Sequence, residues 1–225
     1  MNNLIFYSVL LSLLLTSANL MAQEDEAIVV TPTDQPYPAG NQPANASIAA
    51  FISVFDDTNV GNLHVFSTQK EEPTADYFFQ GTDITGSFND VLPEDLKSSL
   101  RRTGGKIHAV RNVRGVDGEY YILRIPNATK MPQLKMYELR GTKLVELLTL
   151  ADIDCKDNGR CTQVDSWIQD VDGDTRLDVI QRRAKMRDGQ SKKIKTTVYM
   201  LDRSGNFRKS RSVDIDENSY MMEKM

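Results

Sequence analysis

The chain has 225 residues, 40% hydrophobic and 26% charged, with 27 Lys or Arg, 31 Asp or Glu and a formal charge of −4. Its two cysteines, Cys155 and Cys161, and two histidines, His64 and His108, are too few and too scattered for a Cys/His metal or redox centre. Met1 to Tyr7 is a short head without Lys or Arg, and the Leu-rich run Ser8 to Ser17 follows. That run is shorter than the ~20 residues a transmembrane helix needs. Small and polar residues then lead to Leu20-Met21-Ala22, so residues 1–22 read as a secretory signal peptide cut after Ala22. An uncleaved N-terminal anchor is the alternative. Residues 23–46 read as a disordered linker, with Pro32, Pro36, Pro38 and Pro43 and the acidic start Glu24-Asp25-Glu26. The expected location is secreted or periplasmic, in a bacterial envelope, with no transmembrane segment after cleavage.

Residues 47–215 are expected to form a single β-rich domain, with 216–225 a flexible tail. Ile48 to Val54, apolar with small residues, is read among the strands, as are Leu63 to Phe66 and Tyr77 to Phe79. Leu92 to Arg102 is the helix candidate. Pro93, Glu94 and Asp95 open it, Arg101 and Arg102 close it, and Gly104-Gly105 stops it, an order that suits the helix dipole. In Lys106 to Val113 the apolar set is Ile107, Ala109, Val110 and Val113, which breaks strict alternation and predicts a bend. Tyr120 to Ile125 is a strand. Leu134 to Leu139 and Leu144 to Leu150 flank Arg140-Gly141-Thr142-Lys143 as a hairpin. Thr162 to Ile168, Val179 to Met186, Ile194 to Leu201 and Phe207 to Val213 complete the strands.

Cys155 and Cys161 enclose Lys156-Asp157-Asn158-Gly159-Arg160, which in a secreted protein reads as a disulfide-closed hairpin tip with an Asn-Gly turn. Downstream, Asp170-Val171-Asp172-Gly173-Asp174-Thr175-Arg176-Leu177-Asp178 places carboxylates at positions 1, 3, 5 and 9 of a nine-residue loop. Such spacing suits a hard cation that takes several oxygen ligands from one turn. The predicted ligands are Asp170, Asp172, Asp174 and Asp178, with the backbone carbonyl of Arg176, and the predicted ion is structural Ca2+. An Asp-rich solvated turn is the alternative. Position 12 is Gln181 rather than Glu, so the loop is not an EF-hand. Thr175 stands where such loops favour glycine for a left-handed turn.

Between Arg182 and Arg211 there are eleven Lys or Arg against Asp188 and Asp202. Period-two alternation puts Arg182 with Ile180, Ala184 and Met186, and Gln181 with Arg183, Lys185 and Arg187. The basic stretch around Arg182, Arg183, Lys185 and Arg187 is a candidate surface for a protein or polyanionic glycan. A plain solvated sheet face is the alternative. No aromatic residue interleaves with the basic ones over 182–195, so nucleic acid is not expected.

The acidic loop with Asp178-Val179-Ile180, the strand Thr197-Val198-Tyr199-Met200-Leu201 and the turn Arg203-Ser204-Gly205-Asn206-Phe207 resembles an FG-GAP/VCBS repeat, the blade of integrin-α-like β-propellers. The resemblance covers 169–211. It implies calcium held between two strands of a blade. A degenerate second copy over 113–148, with Val116-Asp117-Gly118-Glu119 in place of the acidic loop, lacks the full acid set. A closed propeller takes about four blades or more, too many for this length. The expected fold is therefore mostly β, with propeller-like antiparallel blades in an incomplete propeller and a small α+β N-terminal part. A β-sandwich with a calcium loop is the alternative.

No nucleophile elbow, P-loop, dinucleotide fingerprint or zinc-protease motif is present. His64 reads as a structural strand histidine, and Trp167 as a core anchor rather than a sugar platform. The expectation is an exported, non-catalytic, calcium-stabilised β-repeat protein acting as a binding, adhesion or envelope accessory module. A secreted hydrolase, or a purely structural protein whose calcium loop only stabilises the fold, is the alternative.

Overall fold

A computed structural model describes residues 46–58, 61–68, 77–127, 131–156, 158–187, 190–202, 204–211 and 213–224. The predicted signal peptide and linker lie outside the described residues, except Ala46. Helix α1 is Ala46–Ile52, followed by the short strands β1 (Asp56–Thr58), β2 (Leu63–Val65) and β3 (Thr82–Asp83). Helix α2 is Glu94–Thr103. Eight longer strands follow: β4 (His108–Gly115), β5 (Gly118–Ile125), β6 (Gln133–Arg140), β7 (Lys143–Cys155), β8 (Arg160–Gln169), β9 (Asp178–Arg187), β10 (Gln190–Leu201) and β11 (Phe207–Ser210).

The described residues are mostly β. They form one open mixed sheet of eleven strands, not a closed barrel. β4 to β11 run as a continuous antiparallel meander, while β1 joins β4 in parallel and β2 and β3 pair with β8 and β4. The thirteen-residue β7 is the joint of the sheet. It pairs with β6 over 143–151 and with β8 over 152–155. Two successive four-stranded meanders, β4–β7 and β8–β11, result.

Three apolar clusters follow from the alternation of these strands. The first joins Val110, Val113, Tyr120, Ile122, Leu134 and Met136 of β4–β6 to Ile168, Val179 and Leu201 of β8–β10. The second covers the other face of β4–β6, where Tyr121, Leu123 and Ile125 meet Ile48, Phe51, Leu92 and Leu96. The third covers the other face of β8–β10, where Trp167, Ile180 and Val198 meet Tyr220. Burial of this kind stabilises by about 1.5–3 kcal/mol per large apolar side chain.

Helix α2 forms where expected but starts at Glu94 rather than Leu92, with Pro93 as its N-cap, and ends at Thr103. Its C-cap Gly104 is left-handed at φ 64°, and the Gly104 N–H donates to Leu100 O, closing the last turn. The bend expected in 106–113 is a register shift between Ala109 and Arg111. Three expected strands differ. Ile48 to Val54 lies mainly in α1, because Ile48, Phe51 and Ile52 share a helical face and pack with the second cluster. Tyr77 to Phe79 forms a turn, in which Gln80 N–H donates to Tyr77 O and Tyr77 Oη to Phe66 O. β11 stops at Ser210, so the outer edge of β10 before Val198 has no partner among the described residues. No helix among the described residues is long and apolar enough to cross a membrane.

Candidate functional site

The acidic loop joins β8 to β9, whose ends are held in register at Gln169 and Asp178. Within it, ligand oxygens of Asp170, Asp172 and Asp174 all lie within 4.8 Å of one another, and the three residues are exposed. The backbone arranges them. Asp170 accepts from Gly173 N–H (2.7 Å) and Thr175 N–H (2.9 Å), Asp172 from Asp174 N–H (3.1 Å), and Asp174 from Arg176 N–H (2.9 Å). Each carboxylate oxygen keeps lone-pair capacity beyond these bonds.

Thr175 takes the left-handed conformation expected of a glycine there, at φ 71°, and its Oγ1 donates to Asp174 O. A β-branched residue in that region is strained.

Asp178 does not join the other three acids. It opens β9 with its side chain turned inward and buried, and its Oδ2 accepts from Val171 N–H at 3.0 Å. Its carboxyl is pushed up to about 6, first by burial and then by the charges of Asp172, Asp174 and Asp170, with the Val171 N–H opposing the shift. The loop therefore assembles three of the four predicted carboxylates. Arg176 is predicted to contribute its carbonyl; its side chain meets Asp117 in the β4–β5 turn, Nε to Oδ2 at 3.0 Å, and lies 3.9 Å from Asp174.

At the other end of β8, in the β7–β8 hairpin, Cys155 and Cys161 face each other and are joined as a disulfide, with Cα atoms 4.1 Å apart. Asn158 and Gly159 turn the tip, and Gly159 is left-handed at φ 73°.

The two faces of β9 behave differently. Arg183, Lys185 and Arg187 are exposed on one. Arg182, grouped with them in the sequence as a candidate partner surface, is instead buried on the other. Its Nη1 donates to Glu217 O at 3.0 Å and to Tyr220 O. The pleat turns Arg182 under residues 215–223, which read from sequence as mostly tail and here lie against β8 and β9.

Asp165, fully buried, lies opposite Arg182. It accepts from Gln163 Nε2 (3.0 Å), from Glu223 N–H (2.7 Å), and pairs with His64 Nε2 (3.3 Å). Gln163 Nε2 also donates to Glu223 O at 2.9 Å. The His64 ring stacks on Trp167 with centroids 4.3 Å apart, and Trp167 meets Tyr220 edge-on at 5.5 Å. Trp167 is thus a core anchor, buried between His64 and the C-terminal segment.

This polar cluster was missed in the sequence. Its signal was there: period-two alternation puts Gln163, Asp165 and Trp167 on one face of β8. A His–Asp pair can orient an imidazole for proton transfer. Among the described residues, however, His64 has no hydrogen-bond partner besides Asp165, and Asp165 is committed to the C-terminal backbone. The cluster holds a chain segment in place.

No family model matches the chain, and no curated protein or solved structure matches it either.

Proposed function

We propose that the chain is an exported, non-catalytic β-repeat protein in which calcium at Asp170, Asp172 and Asp174 pins the β8–β9 turn. It would serve as a binding, adhesion or envelope accessory module. The observation that carries this reading is the convergence of three exposed carboxylates within 4.8 Å on a backbone-braced turn. Calcium is the fitting ion because the donors are all oxygens and waters can fill the remaining positions. Three carboxylates held together without a cation repel, so the ion stabilises the folded turn. We read the two four-stranded meanders as two blade-like units of the FG-GAP/VCBS kind, the second with the ion loop and the first without it.

The test is thermal melting of the purified chain in calcium, in chelator, and as Asp174→Ala. An ion that binds only the folded form stabilises it by mass action, about 2.7 kcal/mol when free ion is at a hundred times Kd. Calcium should raise the midpoint of the parent chain and leave Asp174→Ala unmoved. Equal midpoints in all three conditions would remove the calcium reading.

A further inference from the structure

The first apolar cluster covers only the loop end of the β8–β10 face, at Ile168, Val179, Tyr199 and Leu201. One rung further, the face turns polar. Ser166 Oγ donates to Leu150 O and Gln181 Nε2 donates to Thr149 O, which ties the sheet to β7. Beyond that border the face becomes cationic. Arg183 lies between Val164 and Lys195, Lys185 between Thr162 and Lys193, and Arg187 beside Arg160. Residues directly opposite in antiparallel strands share a face, so these six cations form one strip. All six are exposed.

Arg183, Lys185, Lys193, Lys195 and Arg160 have no ion pair among the described residues. Two acids, Asp152 and Asp154, bound the strip on its β7 side. Cations on neighbouring strands stand about 5 Å apart, close enough to repel one another, and nothing in the fold requires them there.

We infer that this strip is the binding surface for a linear acidic polysaccharide, a chain of sulfated or uronic-acid sugars; the inference rests on reading the chain as an exported binding module. Charge complementarity supplies the attraction, and the shape of the strip selects the ligand. It is a few strands wide and several residues long, so it follows one extended anionic chain rather than a plane of headgroups. It holds no aromatic side chain to stack a base, which argues against single-stranded nucleic acid. Thr162 and Thr197 flank the cations with hydroxyls that can bond sugar oxygens.

The experiment is equilibrium binding of fluorescent polygalacturonate and dextran sulfate to the purified chain over a range of salt. Neutral dextran, a short DNA duplex and phosphatidylglycerol vesicles are the competing probes. The ladder variant is Arg183→Gln/Lys185→Gln/Lys195→Gln. The control, Arg102→Gln/Lys106→Gln/Lys143→Gln, removes the same charge elsewhere.

The expected result is saturable polyanion binding that falls with salt and weakens on the order of tenfold or more in the ladder variant, with the control near the parent. Both variants should melt with the parent, since the ladder side chains are exposed. Equal weakening in the two variants, or no binding at low salt, would overturn the inference. So would tighter binding of the duplex or the vesicles than of either acidic glycan. The calcium melting test fails or succeeds independently: glycan binding without a calcium effect removes the ion reading alone, and the reverse removes the ladder alone.

Discussion

Arg176 bridges two turns of the sheet, with Nε 3.0 Å from Asp117 Oδ2 and 3.9 Å from Asp174 Oδ2. Asp117 belongs to the β4–β5 turn and Asp174 to the acidic loop, so one cation links equivalent corners of the two meanders. Both partners of the shorter contact are about a third exposed, 34% and 38%. Exposed pairs of this kind contribute about 0.2–1 kcal/mol, and salt weakens them. A double-mutant cycle of Arg176→Gln and Asp117→Asn in urea should return a coupling in that range. Arg176→Gln should also tighten calcium binding, because it removes a positive charge beside Asp174. Titration calorimetry of the variant reads that directly, and weaker calcium binding would contradict it.

Thr175 carries the strain of the acidic loop. Its φ of 71° is one that glycine reaches without penalty. Strain at a non-glycine left-handed position costs on the order of 1–3 kcal/mol. Thr175→Gly also loosens the unfolded chain and removes the Oγ1 bond to Asp174 O, which offsets part of the gain. The net expectation is a rise of about 1 kcal/mol in unfolding free energy in chelator. A fall of that size would mean that the hydroxyl bond outweighs the backbone strain.

These two residues show where the sequence is informative. The loop spacing identified the cluster, and the missing glycine marked the strained position. The charge order of Glu94 to Arg102 marked α2, and the broken alternation at Ala109 and Val110 marked the bend in β4. Other features needed the fold. Ile48 to Val54 is a short apolar run whose period is ambiguous, and only packing of Phe51 against Tyr121 and Phe88 shows it helical. Alternation assigned Arg182 a face but could not show what covers that face. The C-terminal residues look like a polar tail until Asp165 and Gln163 are seen to hold their backbone.

That clamp makes a strong prediction. Tyr220 is 9% exposed and packs on Trp167, while its carbonyl and that of Glu217 accept from Arg182. Tyr220→Ala leaves a cavity over Trp167 and should cost about 3 kcal/mol. Asp165→Ala should cost as much or more, because it leaves the Glu223 N–H without its acceptor and takes one of Gln163's two partners beside the buried Arg182. Urea denaturation of the two variants checks both. A loss below about 1 kcal/mol for each would mean that the segment does not stay docked in solution.

His108 gives the chain a pH dependence of defined sign. It lies on β4 opposite Arg124 and Asp83, with Lys106 nearby, and its Nδ1 is buried without a hydrogen-bond partner among the described residues. Its pKa is lowered to about 4, chiefly by burial, with Arg124 and Lys106 contributing in the same direction and Asp83 opposing them. The unfolded value is about 6.5. Between the two values the unfolded chain binds a proton that the folded chain rejects, so stability falls as pH drops from 6.5 toward 4. The full shift corresponds to over 3 kcal/mol, and partial solvent screening of His108 reduces the expected loss to about 1–2 kcal/mol. Asp178, raised to about 6, acts in the opposite sense over the same range. The parent curve alone therefore mixes the two groups, and the difference between parent and His108→Gln isolates the histidine. Measured in chelator from pH 7.5 to pH 4, the parent should lose about 1–2 kcal/mol relative to His108→Gln as the pH falls. A difference independent of pH would show that His108 protonates as readily in the fold as in the unfolded chain.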